Sequence, residues 1–140
     1  MRTRRYFILT ATSIIILAVV FAADSVARKR AESAKCASNM ISICLTAWVW
    51  AGDRDGYLPT NFVSMADELL VTKVLICPAD HLRQPATNWE SFTPTQSSYA
   101  IVTPHARCGD TNVVFLRCPI HGHIGYADGS VFHGTKKLTK

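Results

Sequence analysis

No glycine and no proline occurs before Gly52. A run of that length without a helix breaker excludes a turn-rich N-terminal module and is compatible with one long helix. No acidic residue falls within the apolar block Phe7–Ala23. There is no G-x-S-x-G, no H-E-x-x-H and no glycine-rich phosphate loop, so the common hydrolase, zinc-protease and nucleotide-binding signatures are all missing. The cysteines include no C-x2-C pair, the tightest zinc signature. Nor does the second part of the chain carry any charge excess. Residues 36–140 hold eight basic and eight acidic side chains, and the whole net charge of +5 lies in residues 1–35. There Arg2, Arg4, Arg5, Arg28, Lys29, Arg30 and Lys35 face only Asp24 and Glu32. A nucleic-acid-binding domain needs its basic stripe on the folded part, so nucleic acid is not an expected partner. Placed on either side of an apolar block, these charges suit phospholipid head groups instead.

What is present begins with that block. At ~1.5 Å per residue, a helix from Tyr6 to Ala51 reaches roughly 70 Å, more than twice the hydrocarbon thickness of a bilayer. The expectation is a single-pass anchor in its first half, in the inner membrane, with the rest of the chain exported to the periplasm or exterior. The alternative is a cleaved signal peptide, with MRTRR as its basic start and Ser25 and Ala27 as small residues for a peptidase. Five cysteines in a small domain fit an oxidising exterior. The expected division is a basic and transmembrane anchor with its collar (1–35), a globular domain that includes the lower half of the helix (36–135), and a basic tail (136–140). In the lower half, Ala34, Ala37, Met40, Ile41, Cys44, Leu45 and Trp48 recur at three- and four-residue steps. Ala37, Ile41, Cys44 and Trp48 are expected to face the rest of the domain.

After Gly52 the chain reads as α+β. GDRDGYLP is a turn-rich exit. Ser64 and Asp67 resemble a capping box ahead of a short helix over 65–71. VLIC (74–77) is a short apolar run expected to be a strand, and 79–96 a long packed loop pinned by Trp89 and Phe92. SSYAIV (97–102) and VVFLRC (113–118) are β-branched and aromatic, which predicts strands. HIGYA and SVFH flank Asp128-Gly129, the strongest hairpin signal in the chain. The fold class is therefore a long N-terminal helix packed on a small antiparallel sheet.

Two segments echo each other, Cys77-Pro78-Ala79-Asp80-His81 and Cys118-Pro119-Ile120-His121. The preferred expectation is a Cys77–Cys118 disulfide joining the ends of two apolar runs. Closing about 40 residues in this way stabilises by roughly 4 kcal/mol. The sharper alternative is a tetrahedral zinc site of Cys77, His81, Cys118 and His121, with His123 or His133 in reserve. Cys36 and Cys44, two turns apart on the helix, read as small core residues, and Cys108 as a free thiol or a partner for Cys36. Asp53-Arg54-Asp55-Gly56 resembles the start of a calcium loop but lacks its third acidic position and closing Glu, so it reads as a solvated turn. Asp128, Ser130 and His133 share one hairpin, where strand alternation alone brings them close. No catalytic role and no cofactor is expected, zinc and calcium being the alternatives.

The succession KCASNMISICLTAWVWAGDRDGYLP, LICPAD, SSYAIV and RCPIHGHIGYADGSV resembles the type IV pilin-like (pseudopilin, type II secretion protein G-like) family of Verrucomicrobia and Planctomycetes. Matching positions include Lys35, Cys36, Asn39, Asp53, Gly56, Pro59, Cys77, Pro78, Asp80, Tyr99, Cys118, His121, Gly122, Asp128, Gly129 and Val131. The resemblance covers roughly residues 30–135 and implies a lollipop fold, an envelope location and partners among membrane lipid, other pilin-like subunits and envelope proteins. The amino terminus departs from the family, with no Gly before Phe7 and no Glu in the apolar block, so prepilin peptidase is expected to leave it uncut. The implied function is a non-catalytic subunit of a type II secretion or type IV pilus-like system. A stand-alone anchored or secreted envelope domain, binding a metal ion or a protein partner without polymerising, is the alternative.

Overall fold

A computed structural model describes residues 19–133 in full, with the backbone assignments of 2–18 and 136–137. The elements are one helix α1 (Arg2–Gly52) and five short strands: β1 (Ala100–Ile101), β2 (Val114–Arg117), β3 (His123–Tyr126), β4 (Val131–His133) and β5 (Lys136–Lys137). Two compact units divide the chain, Met1–Ala31 and Glu32–Lys140. In the first, every fully described residue is exposed. Among the described residues, no helix is long and apolar enough to cross a membrane. The expected anchor, Phe7–Ala23, lies for the most part outside the fully described residues.

The second unit is α+β, its part of α1 packed on an antiparallel sheet. The strands lie in chain order, each antiparallel to the next. Ala100 pairs with Arg117, Leu116 with Gly125 and Gly125 with Val131, and the β2–β3 register slips once between Val114 and Leu116. Asp128-Gly129 turns the β3–β4 hairpin. Gly129 takes φ +81°, its N–H donates to the Tyr126 carbonyl at 3.0 Å, and Asp128 Oδ1 accepts from the Ser130 N–H at 2.9 Å.

The buried face of α1 is Cys36, Ala37, Met40, Ile43, Cys44, Ala47 and Ala51. Of the expected face, Ala37 and Cys44 are buried, Ile41 is half-buried and Trp48 is 39% exposed. The true stripe lies on the 36/40/43/47 side of the helix. The reason is steric. Cys44, common to both faces, lets the sheet approach beside Met40, and Gly125 on β3 completes the fit, for a Cβ there would sit 2.9 Å from Cys44 Sγ and 3.6 Å from Met40 Cε. Trp48 sits at the margin, where its indole N–H donates to the Ala127 carbonyl at 2.9 Å.

Between helix and sheet the chain runs mostly as irregular structure. Gly56 N–H bonds back to the Ala51 carbonyl at 3.0 Å with φ +77°, ending the helix. The exit then pairs with a later loop, Leu58 N–H to Ala106 O and Cys108 N–H to Gly56 O, both 2.8 Å, while Tyr57 stacks on His105. The expected helix over 65–71 is a single 3-10 turn, Val63–Met65, capped by Asn61 Oδ1 on the Ser64 N–H and not by Ser64 itself. The expected strand at 74–77 is also a 3-10 turn, Thr72–Leu75, followed by an extended residue whose carbonyl accepts from Asn39 on α1. The loop over 79–96 is pinned by Trp89, whose indole N–H donates to Leu69 O, and by Thr72 Oγ1, which donates to Ala86 O.

Candidate metal centre

Three segments remote in sequence meet at one point. Cys36 comes from the buried face of α1, Cys77 from the end of the 3-10 turn, and Cys118 with His121 from the turn between β2 and β3. Their three Sγ atoms and one imidazole nitrogen all lie within 4.8 Å of one another. The three cysteines are fully buried and His121 is half-buried. His121 Nδ1 stands 3.2 Å from Cys77 Sγ.

The two Cys-Pro segments build this point through their backbones. Proline after each cysteine has no N–H and a fixed φ, so the chain turns there without extending a ladder. In the second segment Gly122, at φ +69°, returns its N–H to the Cys118 carbonyl at 3.0 Å. The backbone N–H groups of Ile120 and His121 act on Cys118 to lower its pKa. In the first, Asp80 N–H closes on the Cys77 carbonyl at 2.8 Å, and the Ala79 N–H acts on Cys77 in the same direction. Such N–H groups stabilise a negative sulfur.

Asp80 fixes the first turn from behind. Its carboxylate accepts from Ser98 Oγ at 2.7 Å, from Arg83 Nη1 at 2.7 Å and from the N–H groups of Leu82 and Arg83. Ser98 Oγ in turn accepts the Cys77 N–H at 2.9 Å. Burial alone would raise the Asp80 pKa, but these donors more than offset it and hold the carboxyl down at about 2.

The thiols differ from one another in the same way. A hydrogen bond from the Cys36 thiol lowers Cys118 to about 5, helped by the backbone N–H groups against the opposing effect of burial. The same contact and burial push the Cys36 pKa far up. Burial also raises Cys77. Tyr99 O–H reaches Cys36 Sγ at 3.6 Å.

Behind His121 lies a row of imidazoles. His121 stacks on His123 at 5.4 Å, and His123 meets His133 edge-on at 5.0 Å. His123 is buried, which lowers its pKa. Its Nε2 lies 3.1 Å from the Ser33 carbonyl, which can only accept, so the proton sits on Nε2. Its Nδ1 then accepts from His133 Nδ1 at 3.1 Å.

All five cysteines are free in this structure, and Cys77 and Cys118, expected as a disulfide pair, stand in a group of three with Cys36. Of the expected zinc ligands, Cys77, Cys118 and His121 come together, but His81 does not. It is exposed, because the turn after Pro78 directs Asp80 inward and sends residue 81 to solvent. Cys36, expected as plain core, takes the fourth place. Neither reserve histidine joins the four. Cys44 is core, packed on Gly125, with its thiol pushed up to about 12 by burial and then by the Asp128 charge. Cys108 is half-buried in its loop and not part of the group. Asp53 and Asp55 are both exposed in the turn after α1. No family model, no curated protein and no solved structure matches this chain.

Proposed function

We propose that this chain is a non-catalytic, pseudopilin-like envelope protein that works through helix packing and contacts between folded domains. The observation that carries this is α1, whose range includes the apolar block and whose later turns bury one face under a sheet. A helix used in that way suits a subunit held by its first half and presented by its second. Exposed apolar side chains on α1, Leu45 and Val49 at 46% and 64%, support it, since subunit packing covers such surface. Membrane lipid and other pilin-like or envelope proteins are the partners, and the inner membrane is the location, with the domain in the periplasm. A stand-alone anchored or secreted envelope domain, binding a metal ion or a protein partner without polymerising, is the second reading, favoured by the missing acidic residue in Phe7–Ala23.

Fractionation of cells with protease added to spheroplasts tests this. The full-length chain is expected in the membrane pellet, resistant to alkaline carbonate, with the domain cut from outside. Recovery in the soluble cytoplasmic fraction would refute it. Cysteine cross-linking at Leu45 and Val49 separates the two readings: homotypic or subunit-specific adducts mean assembly, and none means a stand-alone domain.

A further inference from the structure

We propose that Cys36, Cys77, Cys118 and His121 form a structural zinc site that locks the two Cys-Pro turns onto helix α1. This is independent of whether the chain assembles into a fibre.

Ligand type and spacing select the ion. Zn–S bonds of ~2.3 Å at the tetrahedral angle put two sulfurs ~3.8 Å apart, so four donors within 4.8 Å enclose one ion and no larger cluster. Three sulfurs with one imidazole form a soft donor set that rejects calcium and magnesium and matches structural zinc. Burial of all three cysteines leaves no open coordination position for a substrate. The role is therefore structural.

The surroundings meet the demands of such an ion. Three thiolates against Zn²⁺ leave one net negative charge in a buried place. Backbone N–H groups of the two Cys-Pro turns, which favour ionised sulfur at Cys77 and Cys118, disperse it. Tyr99 O–H adds a donor on Cys36. The imidazole is held as well: His121 stacks on His123, which is fixed by its bond to Ser33 O. Asp80 and Ser98 hold the Cys77 backbone in place. A disulfide between any two of the cysteines would leave the third sulfur and the imidazole without a purpose in a packed core. Each cysteine binds the ion as a thiolate, any thiol proton still present passing to solvent, and no electrons are exchanged.

The test is metal content of the full chain, purified in detergent without chelator and measured by mass spectrometry of the elements. About one equivalent of zinc is expected, falling below about a tenth in Cys36→Ser and in His121→Ala, and unchanged in His81→Ala. Cys36→Ser is the informative variant, because it spares both partners of a Cys77–Cys118 disulfide. Should either variant fail to fold, cobalt replaces zinc in the wild-type chain. Tetrahedral d–d bands, with thiolate-to-metal absorption of the intensity of three sulfurs, support the site. A chain without metal carrying a Cys77–Cys118 disulfide overturns it. So does zinc retained at the wild-type level by Cys36→Ser and His121→Ala, or a cobalt spectrum with two thiolates or fewer.

Discussion

Asp80→Asn offers the sharpest quantitative test of how the first Cys-Pro turn is held. The side chain of Asp80 is 2% exposed and its ion pair with Arg83 closes to 2.7 Å, so solvent screening takes little from it. Its folded pKa of about 2 against an ordinary 3.8 corresponds to roughly 2 kcal/mol in favour of the ionised native state, at ~1.36 kcal/mol per unit. The sign follows from the depressed value. The contribution is fully present above the unfolded pKa near 4 and disappears as pH falls through the folded value near 2. Asparagine keeps the shape but has one acceptor oxygen where four donors converge, and no charge for Arg83. Urea denaturation of both proteins from pH 7 down to pH 2 is expected to show a gap of about 2 kcal/mol at neutrality that closes towards pH 2. Any acid sensitivity of the thiol site is common to both proteins, so the difference carries the test. Equal stability at pH 7, or a gap independent of pH, would refute the assignment of Asp80 as the ionised anchor of this turn.

Gly125→Ala places a methyl 2.9 Å from Cys44 Sγ and 3.3 Å from Leu116 Cβ; a loss of ~1–3 kcal/mol is expected, partly recovered when Cys44→Ala is added, as a double-mutant cycle in denaturant will measure. Met40→Ala removes a fully buried side chain and is expected to cost ~2–5 kcal/mol, whereas Leu45→Ala, on the exposed side of the same helix, stays within ~0.5 kcal/mol; equal effects would mean the buried face is misassigned. Trp48→Phe deletes the donor to Ala127 O together with part of the indole ring beside Gly129 and is expected to lower stability by at least ~1 kcal/mol, with amide exchange accelerated at the β3–β4 turn. Intact mass of the membrane-extracted chain is expected to show no prepilin-peptidase cut near Phe7, and a methylated new amino terminus there would contradict this.

Much of the fold was legible because its signals are local. A helix needs no breaker between its ends, and the stretch before Gly52 has none. The Asp128-Gly129 turn depends on Gly129 in left-handed backbone and on the Asp128 carboxylate accepting from the Ser130 N–H, residues adjacent in sequence. What could not be read was which apolar residues meet which. Ile41, Leu45, Trp48 and Val49 are as hydrophobic as Met40 and Ile43, so periodicity alone could not choose between two sides of α1. The close approach of Gly125 on β3 to Cys44 and Met40, a contact remote in sequence, marks the side that is buried. The candidate metal centre was half legible for the same reason. Cys-Pro segments with a nearby histidine pointed to Cys77, Cys118 and His121, but C-x3-H spacing favoured His81, which the turn sends outward. Cys36 carried no local sign of its role beyond its place on the helix. Only tertiary packing could show it.

The chain-order sheet has a consequence for how the molecule is made. Each strand pairs with its sequence neighbour, so the meander can zip as it emerges, one hairpin at a time. Helix α1 has the opposite schedule. Its buried face is synthesised first, while Gly125, which seats Cys44, and Cys118, which meets Cys36, come much later. Until the β3–β4 hairpin is released, the core around Met40, Ile43 and Ala47 lacks Gly125, Ala127 and Val131. A nascent chain held in that condition is a substrate for holding chaperones, and a ribosome stalled anywhere short of Val131 leaves it there.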